Sequence, residues 1–264
     1  MKYKLIAIDL DGTLLNSSNS ITPYTIEIIK QLDRMGVIIV IATGRSYSSL
    51  RHKITELELK QPVICYNGAM IRDGATHDIV FNSSIPPDIS KELVNISRSQ
   101  NIHLHGFVDG EFLYEKDSES SQYYRELSGL DGLKINFDTM EELNFTKGMF
   151  IGDHTILKKL EKQLKLDYNE SLYISFSKPI FLEIMNSSAS KSNALIKVCK
   201  KLNIDSSEVL AFGDGLNDAD MLAYAGKGVV MKNGHSELVS KFENTKYSND
   251  EDGVAKYLKA LING

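Results

Sequence analysis

Apolar residues in this chain fall first into unbroken runs. Leu5 to Ile8 opens the series, Val37 to Ala42 follows, and Val63 to Cys65 is third. Two more, Val209 to Phe212 and Gly228 to Met231, come near the far end. Runs without alternation suit strands buried on both faces, as in a parallel sheet. Between the first two runs, Thr22 and Pro23 read as an N-cap and a first helical residue. Ile26, Ile28, Ile29 and Leu32 then share a helical face, and Gly36 ends the helix. Strand, helix and strand in this order predict a βαβ unit and an α/β, doubly wound sheet. Met70 to Phe81 predicts a hairpin turning at Asp73-Gly74.

The pattern changes after the Ser83 to Pro87 stretch. A helix is predicted near 88–99, then a strand over 103–108, a turn at Asp109-Gly110 and a strand over 111–114. Helices near 118–128 and 154–166, with strands over 146–151, 172–176 and 181–184, complete an α+β region with an antiparallel sheet. His103 and His105 alternate on one side of their strand, where strand surface is the ordinary reading and metal ligation the rarer one. Tyr123 and Tyr124 read as packing residues. From about 185 the α/β character returns, with a helix led by Lys191 and a last helix over 252–262. The expected organisation is therefore 1–84 and 184–264 as one domain, interrupted by an inserted α+β domain over 85–183.

Composition narrows the classes. The 264 residues are 42% hydrophobic and 25% charged, with a net charge of −5. That is ordinary globular composition, and it argues against a nucleic-acid partner or anchoring on an anionic membrane. Cys65 and Cys199 both lie in apolar contexts, so buried free thiols and a cytoplasmic location are expected. The first apolar run ends at Asp9, too early for an export signal or a membrane span.

The chemistry gathers where the buried runs end. The first runs into Asp9-Leu10-Asp11-Gly12-Thr13, the second into Thr43-Gly44-Arg45, the third into Asn67-Gly68, and the fourth into Gly213-Asp214-Gly215-Leu216-Asn217-Asp218. Open α/β sheets bind ligands at the C-terminal ends of their strands. Two carboxylates as close as Asp9 and Asp11 need a positive partner, and oxygen donors without cysteine or obligatory histidine favour Mg²⁺. Thr43 suits a phosphate at a strand-to-helix junction, or a plain N-cap. Lys191 sits where the helix dipole disfavours a cation, a small hint that it faces an anion, although a solvated lysine is the ordinary reading. Carboxylates, a hydroxyl, a lysine and Mg²⁺ are parts for phosphoryl transfer.

Asp9 to Thr13, Thr43-Gly44-Arg45, Lys191 and Gly213 to Asp218, in that order, resemble the four motifs of the haloacid-dehalogenase-like superfamily. More narrowly they resemble its Cof-type phosphatases, whose type IIB cap falls where residues 85–183 lie. The Asp252 to Ala255 segment resembles that group as well. The resemblance implies a phosphatase acting on small phosphorylated metabolites, sugar phosphates or phosphate-bearing cofactors. Asp9 would be the nucleophile that becomes an aspartyl-phosphate, and Asp11 the general acid and base. Thr43 and Lys191 would complete the catalytic set. Leu10, Gly12, Gly44, Arg45, Asn67, Gly68 and Asn217 would join Thr43 and Lys191 around the phosphate. Asp9, the Asp11 carbonyl and Asp214 would hold Mg²⁺, with Asn217 and Asp218 in or just outside its shell. The cap would set specificity and close by hinging near 83–87 and 183–188.

Three rival readings use the same residues. A phosphomutase or phosphotransferase would pass the phosphoryl group to an alcohol. A non-enzymatic regulator would bind a phosphorylated ligand, yet would not need Asp9 and Asp11 together. A calcium module lacks its twelve-residue ligand pattern. The family commonly has Met-Gly-Asn-Ala after the last core strand, where this chain has Met231-Lys232-Asn233-Gly234. Lys232 is expected either to face solvent or to favour a substrate with a second anionic group.

Overall fold

The computed structural model describes residues 2–263. In chain order its strands begin with β1 (Leu5–Asp9), β2 (Ile38–Ala42), β3 (Val63–Cys65), β4 (Met70–Arg72) and β5 (Ile79–Asn82). They continue with β6 (His103–Val108), β7 (Glu111–Tyr114), β8 (Leu133–Lys134), β9 (Lys147–Ile151), β10 (Leu172–Lys178) and β11 (Phe181–Asn186). The last are β12 (Val209–Gly213), β13 (Lys227–Val230) and β14 (Glu243–Asn244). The helices are α1 (Pro23–Arg34), α2 (Tyr47–Leu57), α3 (Pro87–Gln100), α4 (Glu119–Ser128), α5 (His154–Tyr168), α6 (Lys191–Leu202), α7 (Ala219–Tyr224), α8 (Ser236–Val239) and α9 (Gly253–Asn263). None among the described residues is long and apolar enough to cross a membrane.

The chain divides into two compact units. The first runs to Arg45, resumes over Leu50–Val80 and returns at Ser190; the second comprises Ser46–Ser49 and Phe81–Ala189. The division falls at 80/81 and 189/190, where the sequence suggested 84/85 and 183/184. The later second junction has a clear cause, because β11 stays paired with β10 as far as Asn186.

The first unit is built on an eight-stranded sheet ordered β14-β13-β12-β1-β2-β3-β4-β5. β1 is buried at every position and pairs in parallel with β12 on one side and β2 on the other. The register sets Asp9 beside Ala42 and Ile8 beside Phe212. The polar residues that follow all three strands are thereby delivered to one edge of the sheet, where such folds bind ligands. The expected cap of α1 is present: the Thr22 side chain accepts from the Thr25 amide, and Pro23 occupies the first turn. β3 and β4 are antiparallel, and β4 and β5 are neighbours, which is the hairpin expected around Asp73-Gly74.

The second unit carries a six-stranded sheet ordered β10-β11-β9-β6-β7-β8. One face packs on α3 and α5 through Leu93, Leu104, Phe150, Leu157, Leu164, Leu182 and Ile184. His103 and His105 share the opposite face, as their alternation requires; His103 is half-buried, and His105 is not strand surface at all. His105 is fully buried, and its ring lies 4.2 Å from that of Tyr124 on α4 and 4.8 Å from that of Phe112. His103 Nε2 and His105 Nδ1 are 3.3 Å apart, while His105 Nε2 finds no partner among the described residues. Lys147 and Glu183 form a buried ion pair at 2.8 Å on neighbouring strands.

Burial pulls His103 down to about 4 from its ordinary 6.5. His105 is also held well down, by burial first, then by His103 and Lys147. Both rings are thus neutral in the fold and protonate first in the unfolded chain. Their stabilisation is complete above pH 6.5 and is lost as pH falls toward about 4. Between pH 7 and pH 5 the His103 share of that loss is about 2 kcal/mol. We expect His103→Gln to shrink the pH-dependent drop in urea stability by about that amount. An equal drop in both proteins would contradict the assignment.

Candidate active site

The site belongs wholly to the first unit and starts from Asp9, the last residue of β1 and only 5% exposed. Lys191 opens α6, whose N-cap Ser190 accepts from the Asn193 amide. The Lys191 side chain is buried, and its Nζ donates at 2.6 Å to Asp9 Oδ1 and at 2.6 Å to Asp218 Oδ1. Two carboxylates therefore offset the unfavourable place of a cation at a helix start. The other Asp218 oxygen accepts from the amides of Asp214, at 3.0 Å, and Gly215, at 2.9 Å. Asp218 shapes the acidic loop and grips Lys191 at once. Asp214 Oδ1 in turn accepts from the Thr13 hydroxyl at 3.0 Å.

Glycine is required where these loops meet. Gly68 has φ +97°, and a Cβ there would lie 2.0 Å from the Ser190 carbonyl oxygen, against the start of α6. Tyr66 and Asn67 also have positive φ, at 49° and 51°, so the turn after β3 coils left-handed for three residues. It is tied to the loop after β2, since the Asn67 amide donates to the Thr43 carbonyl and the Tyr66 amide to the Arg45 carbonyl. Thr43 is fully buried, and its hydroxyl accepts from the Arg45 amide at 3.1 Å. Asn217 Nδ2 donates to Asn67 Oδ1 at 3.1 Å, and Gly44 lies against that same asparagine.

Not every expected residue points into this cluster. The Asp11 carboxylate is exposed and gripped by Arg45, with Nε 2.9 Å from Oδ2 and Nη2 2.5 Å from Oδ1. Arg45 Nη2 also donates to Asn19 Oδ1 at 2.7 Å, so this guanidinium is committed to the loop after β1. Leu10 is buried, and its carbonyl accepts from the Leu14 and Leu15 amides. Lys232 pairs with Glu251 at 3.2 Å, in keeping with the solvent-facing alternative. Asn233 and Asn249, to which the sequence pattern assigns no role, reach back to the turn at Gly12. As polar side chains, one exposed and one half-buried, they belong to no hydrophobic period.

One carboxylate oxygen each from Asp9, Asp214 and Asp218 lies within 4.8 Å of the others. Lys191 is the one cation bonded to this trio among the described residues. Burial pulls Lys191 down, but the charges of Asp9 and Asp218 more than reverse that and hold it above its ordinary value. Burial pushes Asp9 up to about 8, despite Lys191, and also raises Asp214. The cluster is short of positive charge and offers only oxygen donors, which fits a hard divalent cation.

The model of a known family, haloacid dehalogenase-like hydrolase, matches residues 6–258. YxeH of Bacillus subtilis, named among the phosphatases, is 32% identical and aligns over 98% of each chain. A Serratia proteamaculans protein named HMP-PP phosphatase is 29% identical, over 97% of this chain and 94% of its own. The crystal structure of a haloacid dehalogenase-like hydrolase from Bacteroides thetaiotaomicron superposes with a TM-score of 0.90 at 27% identity, over 98% of this chain and 99% of that one. With a match across nearly its full length, and the acidic cluster at the head of its parallel sheet, this chain belongs to the haloacid dehalogenase-like hydrolases.

Proposed function

We propose that the protein is a Mg²⁺-dependent phosphatase that hydrolyses small phosphorylated metabolites through an aspartyl-phosphate on Asp9. The observation that carries this reading is the buried Asp9 carboxylate, bonded through one oxygen to Lys191 at 2.6 Å. A phosphate monoester is a dianion, and a carboxylate approaching it is repelled unless cations flank both. Lys191 supplies one such charge. The bound cation would supply the other, held by Asp9, the Asp11 carbonyl and Asp214, with Asn217 and Asp218 beside it.

An Asp9 oxygen attacks phosphorus as the bond to the leaving oxygen breaks, and Asp11 gives that oxygen its proton. Water then attacks the aspartyl-phosphate while Asp11 takes a proton from it, and the phosphorus–Asp9 oxygen bond breaks to release phosphate and restore Asp9. Both Asp11 oxygens face the Arg45 guanidinium, so Asp11 must leave Arg45 to reach the leaving oxygen. Its exposed position leaves it free to do so. Thr43, the loop amides and the Asn67–Asn217 pair would hold the phosphoryl oxygens, and the inserted unit would set specificity. The relative named HMP-PP phosphatase supports a phosphorylated small metabolite as substrate.

The test is phosphate release from a panel of sugar phosphates, pyridoxal phosphate and flavin mononucleotide, with Mg²⁺ and with chelator. Release in plain water that chelation abolishes is the expected result. Phosphate passing only to an added alcohol acceptor would replace hydrolysis with transfer.

A further inference from the structure

Gly12 lies at the centre of a tight turn, and the turn is held from outside. The amides of Leu14 and Leu15 both donate back to the Leu10 carbonyl. Gly12 itself has φ +77°, and a Cβ there would sit 2.4 Å from Asp214 Oδ2. The turn thus rests directly on the Asp214 carboxylate, which Thr13 also bonds. The Gly12 carbonyl accepts from Asn233 Nδ2 at 2.8 Å. Asn233 Oδ1 accepts from the Asn249 amide at 3.0 Å, so the side-chain amide can face Gly12 only with its donor end. Asn249 Nδ2 in turn donates to the Leu15 carbonyl at 2.8 Å.

The loop that carries Asn233 is anchored on the other acidic strand end. The Met231 amide donates to the Gly213 carbonyl at 3.0 Å, and the His235 amide to the Asp214 carbonyl at 2.8 Å. Residues 231–235 therefore grip the backbone on both sides of Asp214's N–H while reaching across to Gly12. We propose that Asn233 is a positioning residue. It sets the spacing between the Asp11–Gly12 turn and Asp214, and so the affinity of the site for its divalent cation. The inference rests on the reading that Asp9, the Asp11 carbonyl and Asp214 hold that cation. Asn233 itself is exposed and outside the buried core, so its loss should leave the fold intact.

The test uses the full chain and Mg²⁺ alone. Asn233→Ala and Asn233→Leu both remove the donor, and the second keeps the bulk. Binding is read by calorimetry and by the Mg²⁺-induced rise in Tm, beside the Mg²⁺ dependence of turnover. We expect Mg²⁺ affinity to fall about fivefold or more in both variants, the worth of one ordinary hydrogen bond. Turnover at saturating Mg²⁺ should stay within about threefold, and the metal-free Tm should hardly move. Lys232→Ala, one residue away and paired outward to Glu251, should bind Mg²⁺ like the wild type. Unchanged affinity in both Asn233 variants, or an equal loss in Lys232→Ala, would overturn the proposal. A wild type that shows no Mg²⁺ response would overturn the cation reading itself, and this inference with it.

Discussion

Asp9→Asn should lower phosphate release at least ~10³-fold while making the metal-free protein more stable. The loss follows from the role proposed for Asp9. An amide has nearly the shape of the carboxylate, but it is a poor nucleophile and forms no acyl-phosphate. The gain follows from the electrostatics of the site. Asp9 is pushed up to about 8 because burial penalises its charged form more than Lys191 repays it. A carboxyl raised in the fold above its unfolded value of 3.8 costs stability progressively as pH climbs through that interval. Asparagine removes this cost, and Lys191 retains Asp218 at 2.6 Å. Melting in chelator at about pH 8 should therefore show a higher Tm for Asp9→Asn, and added Mg²⁺ should stabilise it less than the wild type. Retained turnover would place the nucleophile elsewhere and end the aspartyl-phosphate mechanism.

What the chain's pattern revealed, and what it hid, divides along physical lines. Strands buried on both faces announce themselves as unbroken apolar runs, so β1, β2, β3, β12 and β13 were legible to within a residue or so. The polar stretches after them were legible for the same reason, since charge ending a buried run stands out. β8, β14 and α8 were not, because elements of two to four residues contain no period to detect. Period-2 alternation correctly set His103 and His105 on one face. It could not say that α4 would cover that face, which depends on Tyr124 packing across the chain. Side-chain pairings across long separations were equally hidden. Arg45 read as a phosphate ligand, yet in the fold it grips Asp11, and Lys232 finds Glu251. Such pairings arise only once the sheet has brought distant loops to one edge.

Lys191→Met should abolish turnover as thoroughly as Asp9→Asn, and shift stability the opposite way. Methionine fills the buried channel with a chain of similar length but no charge. Asp9 and Asp218 then lose the ammonium that each holds at 2.6 Å. Asp218 still accepts two backbone amides, whereas Asp9 loses the strongest interaction that favours its ionised form. Removing one partner from a buried ion pair typically costs about 3–5 kcal/mol, since a desolvated charge is left behind. Asp9 should respond by rising above the value of about 8 that it has beside Lys191 and so keep its proton into more alkaline solution, and a protonated carboxyl does not attack phosphorus. Three results follow together: a lower metal-free Tm than wild type, turnover reduced at least ~10³-fold, and residual turnover that climbs with pH where the wild type's levels off. A general loss of folding would lower the Tm without producing that pH rise, so the profile separates the two causes. Because the cluster is short of positive charge, removing a carboxylate relieves it and removing the ammonium aggravates it. If both variants move the metal-free Tm in the same direction, that charge imbalance is not what governs the site.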